Sequence, residues 1–229
     1  MWIDDKILER CGEDLVAEAW VPNEIRVVCG ASNDFSREVD LSRCANDGVP
    51  VTRRYGGGGA VVLFPGCVVV SVGIWVSNPY RNQHYFSLLN RAVIDSLACK
   101  IPPQFCLSDA GISDIVCGDR KVAGTSLFRS RHYLLYQASI LVRCDRAIIA
   151  QYLLHPSREP DYRRGRNHED FMMGLDEVAP QITPQGVANE LHRSLRDCLT
   201  ARLGAELIPA QRDQLANLLA RADAGNKSH

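Results

Sequence analysis

Four consecutive glycines, Gly56 to Gly59, follow two arginines and lead into a long apolar run. Glycine reaches backbone dihedrals closed to other residues but loses the most entropy on ordering, so such a run is costly unless the backbone conformation itself is needed. Without Cβ atoms in the way, the N–H groups of such a loop can approach a ligand and form a nest for an anion. Arg53 and Arg54, just upstream, could add positive charge for a phosphate or carboxylate. The loop departs from the phosphate-loop pattern G-x-x-x-x-G-K-[ST], since no Lys-Ser or Lys-Thr follows, and from G-x-G-x-x-G, since the next segment is β-prone. Alone it is also compatible with a flexible hairpin tip.

The remainder reads as mixed α and β segments. Residues 3–20 fit an amphipathic helix through Ile3, Ile7, Leu8, Leu15 and Ala19, interrupted by Gly12. Short strands are expected at Ile25–Cys29 and Val49–Arg54, with a helix at Val39–Asn46 between them. Ala60–Leu63 and Cys67–Val76 are β-prone and join across Pro65-Gly66. A helix fits Phe86–Cys99, with Ser87 as a cap. Strands then fit Ser113–Cys117, Arg120–Ser126 and Tyr133–Val142, and a helix fits Asp145–Leu154. Residues 157–168 read as a polar, mobile loop. Thr183-Pro184 opens a helix whose apolar face is Val187, Leu191, Leu195 and Leu199. The pattern implies an α/β fold of the α+β kind, with mixed sheets built from antiparallel hairpins. One large domain is expected over residues 1–208, and a C-terminal helix (210–222) and tail over 209–229.

Composition narrows the function classes. The 229 residues can bury a sizeable core unaided, and the net charge of −1 lacks the basic excess of a nucleic-acid binder. The longest apolar candidate, Ala60–Val76, is broken by Pro65, Gly66 and Gly73, so no membrane span is expected. The nine cysteines form no C-x-x-C pair and the six histidines show no ligand spacing, so no protein metal site is expected. Scattered cysteines without a leader segment read as reduced thiols of a cytoplasmic protein, expected to be a monomer.

A second motif sits in a β context at Gly118–Gly124, where Lys121 lies between glycines. An ammonium on a rigid strand can stabilise charge developing on a carbonyl or phosphate oxygen, though a solvated turn lysine fits the same residues.

The two motifs together resemble the lipoate–protein ligase and octanoyltransferase family. Arg53–Ala60 is similar to its R-R-x-x-G-G-G-A signature, and Gly118–Ser126 to its G-x-K-[VI]-[SA]-G-[SN]-[AS] strand. Val27–Gly30, Asn33, Glu38-Val39-Asp40, Asp47–Val51 and Ser113-Asp114-Ile115 fall at matching places, so the resemblance spans roughly residues 3–200. It implies a biotin/lipoate–protein ligase catalytic domain without the C-terminal accessory domain many ligases carry. It implies activation of lipoate or octanoate by ATP, as its Mg2+ complex, to an acyl-adenylate. The acyl group then passes to a lysine of a lipoyl carrier domain, of the glycine-cleavage H-protein or 2-oxoacid dehydrogenase E2 kind. By resemblance, Lys121 and Asp114 are the catalytic pair. Arg54, Gly57, Gly58, Gly59, Ala60, Val61, Val62, Leu63 and Gly124 border the acyl and nucleotide groups.

Departures from the family pattern leave alternatives open. Leu63-Phe64 stands where ligases commonly carry His-Asp, and Tyr136–Ser139 lacks a histidine found in relatives. A separate accessory subunit would compensate for a missing domain. One octanoyltransferase branch takes its acyl group from an acyl carrier through a cysteine, and Cys106 lies at a comparable distance before Lys121. Nine cysteines make a coincidental match easy. A non-enzymatic lipoyl-domain binder is the third alternative. Arg164-Gly165-Arg166 resembles loosely a basic-glycine element on the family's nucleotide side.

Overall fold

The apolar run after the glycine loop forms strand β5 (Cys67–Trp75), buried along its whole length, as a fully covered central strand should be. The computed structural model describes residues 3–156, 158–211 and 214. β5 lies between β1 (Leu15–Trp20) and β9 (Tyr133–Leu141), antiparallel to both. With β6 (Leu107–Ala110), β7 (Asp114–Cys117) and β8 (Arg120–Ser130) they form an antiparallel six-stranded sheet ordered β1-β5-β9-β8-β7-β6. A three-stranded sheet, β3-β2-β4, contains β2 (Arg26–Cys29), β3 (Val51–Arg53) and β4 (Val61–Leu63), with β2 parallel to β3 and antiparallel to β4.

The alternation of side chains along β5 and β9 divides the interior. Val68, Val70, Val72 and Ile74 join Leu134, Tyr136, Ala138 and Ile140 in the main core. Helices α4 (Asn82–Leu97) and α7 (Pro184–Leu203) pack against each other and supply much of its other side. The other face of the large sheet meets the small one through Val28, Leu63 and Val69. Beyond the small sheet, Val27, Val62 and Phe64 pack on Cys44 and on Ile149 and Tyr152. Helix α1 (Ile3–Glu9) closes one end of the large sheet, where Ile7 and Leu8 meet Trp75 and Tyr133. The shorter helices are α2 (Phe35–Glu38), α3 (Leu41–Asp47), α5 (Arg146–Tyr152) and α6 (His168–Phe171). Thr183 accepts the Gly186 N–H at 3.1 Å and Pro184 opens α7, as its sequence requires.

Several expected elements differ. Residues 3–20 are not one helix, because Leu15–Trp20 pairs residue by residue with Trp20↔Val69 through Leu15↔Ile74 on β5. The stretch Val39–Asn46 is displaced: α2 ends at Glu38, and Asp40 caps α3 by accepting the Arg43 N–H at 2.9 Å. β4 and β5 do not pair across Pro65-Gly66; the turn passes the chain from the small sheet to the large one. α4 begins at Asn82, so Ser87 lies within it and is not its cap. The expected helix over 210–222 lies almost entirely outside the described residues.

Candidate active site

Where the glycine loop and the two sheets meet, they leave an open cleft. One wall comes from β8 and β9, through Lys121, Gly124–Ser126 and Gln137–Ser139. Ser113 and Asp114 form its end, and Gly58–Val61 its rim. Val28, Leu63 and Val69 give it an apolar side. Leu63 therefore occupies the wall of the cleft, and Phe64 is buried in the small-sheet core. Leu63 also lines a second, open cavity, bounded by Ile7, Trp20, Pro22 and a charged rim that includes Lys6 and Arg26.

The two arginines of the loop motif bind main-chain oxygens. Buried Arg54 donates from Nη2 to the carbonyls of Gly57 at 2.6 Å and Gly59 at 2.8 Å, and from Nη1 to Val28 at 3.3 Å. Arg53 Nη1 donates to the carbonyls of Gly30, Ala31 and Asn33 at 2.8–3.0 Å, with its guanidinium over the Phe35 ring. The Gly56 carbonyl accepts the Ala31 N–H at 2.9 Å. Gly58 has φ +94°, which a residue with a Cβ adopts only under strain. The loop is thus folded around the Arg54 guanidinium.

Lys121 reaches the cleft because of an irregularity in β8. Asp114 pairs with Gly124 and Ile115 with Ala123, but Val116 pairs with Lys121, so Val122 is an extra residue. Val122 and Ala123 consequently both enter the main core, although neighbours on a regular strand face opposite ways. The bulge turns Lys121 onto the same face as Asp114 and Gly124. There Lys121 Nζ lies 2.7 Å from Asp114 Oδ1, both side chains largely buried. A Cβ on Gly124 would come within 3.0 Å of Nζ and 3.1 Å of Cε, so the glycine makes room for the lysine. The second oxygen, Asp114 Oδ2, accepts the Tyr162 hydroxyl at 2.7 Å. Burial and then the adjacent Asp114 push the Tyr162 phenol up from its ordinary pKa, so it is protonated and donates.

The model of the lipoyl protein ligase A/B catalytic domain matches residues 2–196. The chain belongs to that family. It is 28% identical over 188 residues to lipoate-protein ligase A subunit 1 of Thermoplasma acidophilum, covering 75% of this chain and 70% of that one. It spans about half the length of other curated relatives it matches. Among solved structures, the bipartite lipoate protein ligase of T. acidophilum, described with its E2 lipoyl domain, aligns with TM-score 0.71 and 19% identity over 98% of this chain and 85% of that one. A lipoate-protein ligase A bound with ATP aligns with TM-score 0.71 and 20% identity over 98% and 87%. At those identities the likeness shows the fold.

Within this lipoyl ligase fold, Arg54, Gly58, Gly59, Ala60, Val61, Leu63, Asp114, Lys121 and Gly124 converge on one cleft from three separate stretches of sequence. Gly57 and Val62 do not line it: the Gly57 carbonyl binds Arg54, and Val62 faces the small-sheet core. Cys106 is exposed, outside the cleft, just before β6. Along β6 it is four residues from Ala110, the partner of Asp114, or roughly 13 Å of strand. Tyr162 had no motif to mark it. The expected mobile stretch around it is packed: Arg163 is buried over Phe171, and Arg166 reaches Asp119 at 2.9 Å. Among the described residues no group of three His, Cys, Asp or Glu side chains could hold a metal ion, and no helix is long and apolar enough to cross a membrane.

Proposed function

We propose that this chain is a lipoate–protein ligase that activates lipoate or octanoate with ATP and acylates a lysine of a lipoyl carrier domain. The carrying observation is the convergence of Lys121, Asp114 and the glycine loop on a cleft with one apolar side. The acyl chain runs along Val28, Leu63 and Val69. The carboxylate then lies at Lys121.

In the first half-reaction, a carboxylate oxygen attacks the α-phosphorus of ATP and pyrophosphate leaves. Lys121 neutralises charge on the phosphate and carboxylate oxygens, which would otherwise repel each other. The loop from Gly58 to Ala60 borders the phosphate. Mg2+, as part of the ATP substrate complex, would be held mainly by phosphate oxygens; Asp114 lines this cleft, with its two oxygens engaged by Lys121 and Tyr162. In the second half-reaction, the carrier lysine amine attacks the acyl carbonyl, AMP leaves, and the amine loses a proton. Negative charge develops on the carbonyl oxygen, and Lys121 is the cation placed to meet it.

The carrier is a lipoyl domain of the H-protein or E2 kind, and the reaction runs in the cytoplasm. A second protein subunit is a further proposed partner, since a bipartite lipoate protein ligase is among the structures that share this fold. The test is incubation with ATP, Mg2+, lipoate and a purified apo-carrier domain, read by intact mass. A gain of one lipoyl group on the carrier is expected, with AMP formed in equal amount. Acylation from octanoyl-acyl carrier protein alone, without ATP, would sink the proposal and favour thioester transfer.

A further inference from the structure

Tyr162 lies on the connection between α5 and α6, half-buried. Its ring packs on Phe171 with centroids 5.3 Å apart, and a Cβ on Gly111 would meet the ring at 3.4 Å, so it is seated beside the β6–β7 turn. Its hydroxyl takes the one Asp114 oxygen that Lys121 leaves. The same segment then runs through α6 to Met172, which bridges Lys121 in parallel, and the Met173 N–H donates to the Lys121 carbonyl at 2.9 Å. Residues 162–173 therefore hold both the main chain of the cleft lysine and the carboxylate that faces it.

We propose that Tyr162 is a positioning residue for Lys121, acting through Asp114. An ammonium carries three donors, and a carboxylate free at both oxygens can turn to follow it. With Oδ2 occupied by the Tyr162 hydroxyl, Asp114 meets Lys121 through Oδ1 alone. The remaining ammonium hydrogens are then directed into the cleft. Loss of the hydroxyl frees Asp114 to rotate and loosens the direction of Nζ, while the aromatic packing survives in phenylalanine.

This inference rests on the proposed ligase activity for its kinetic consequence alone; the coupling itself is read without turnover. Tyr162→Phe, Asp114→Asn and the double variant are compared with wild type in two measurements. The first is the acetylation rate of Lys121 by acetic anhydride, followed by peptide mass. Tyr162→Phe is expected to change this rate in wild type and to change it no further in the Asp114→Asn background. The second is carrier lipoylation, where Tyr162→Phe is expected to lower kcat about tenfold, the scale of one lost hydrogen bond to a charged group, with KM for lipoate little altered. A Tyr162 effect of equal size in both backgrounds overturns the proposal, as does a wild-type labelling rate in Tyr162→Phe. An inactive wild type would sink the ligase reading, and the labelling cycle would still decide the coupling.

Discussion

Lys121 and Asp114 face each other at 2.7 Å because one residue too many, Val122, is inserted into β8 between the lysine and its register with β7. On a regular strand Lys121 would share a face with Ala123 and enter the main core. Lys121→Met keeps the length of the side chain and removes its charge. It is expected to lower kcat by about 10²–10³-fold, as loss of one oxyanion donor does elsewhere. Steady-state lipoylation together with an unchanged circular dichroism spectrum is the check; retained turnover would remove Lys121 from the chemistry.

Gly124→Ala tests the same pair from the backbone side. The added methyl would lie 3.0 Å from Lys121 Nζ, tighter than ordinary contact, and the flexible ammonium end is what must move. The fold should persist while activity falls by about 10²-fold, the cost of a misplacement near 1 Å. A variant with normal kcat would mean that the lysine position seen here is not the one used.

Cys106→Ala separates the two acyl donors. Cys106 is exposed and lies outside the cleft, so full ATP-dependent activity is expected. Loss of activity in an otherwise stable variant would return the thioester route to consideration.

Leu63→Ala addresses the wall between the two cavities. Leu63 is 3% exposed and packs with Val28 and Val69. Its truncation is expected to cost about 3 kcal/mol of stability. It should also raise KM for lipoate and widen the range of acyl chains accepted, measured by chemical denaturation and by competition among fatty acids of increasing length. An unaltered chain-length profile would count against an acyl chain lying along this wall.

Glu206 ties the end of the described C-terminal segment to α4. It accepts from Arg81 at 3.1 Å, His84 at 3.2 Å and Tyr85 at 3.1 Å. Burial alone would raise its pKa, but the hydrogen bonds from Tyr85 and His84 together with the charges of Arg81 and His84 outweigh that and lower it. A carboxylate lowered in the folded state stabilises above its unfolded pKa, ~4.3, and loses that contribution as pH falls through the folded value. Glu206→Gln should therefore cost about 1 kcal/mol near neutrality and progressively less in acid. Urea unfolding of both proteins across that range is the measurement, and a pH-independent difference would refute the linkage.

The parts of the site that were legible in the sequence are those whose cause is local. A glycine run and a lysine between glycines declare themselves by residue type, and Thr183-Pro184 by helix-start chemistry. What was not legible depends on distant partners. Leu15 and Ala19 satisfy helical spacing as well as strand spacing, and only pairing with β5, some fifty residues later, decides between them. The bulge at Val122 is set by the register with β7 and the packing of two core residues, neither of which has a sequence signature. Tyr162 sits among arginines in a stretch without periodicity, so its contact with Asp114 emerges only from the fold.

The way Arg54 is used gives the loop a polarity. The carbonyls of Gly56, Gly57 and Gly59 are each drawn back into the protein, one by Ala31 and two by the guanidinium. An arginine buried in this role does not need to touch a ligand to decide its sign. With those lone pairs turned inward, a bare cation entering here would find few oxygens to replace its water, whereas an anion would meet little repulsion from the backbone. Selectivity for negative charge would then be a property of the empty loop, established at folding, and a lysine at position 54 could not reproduce it, since one compact ammonium lacks the planar fork that reaches Gly57, Gly59 and Val28 together.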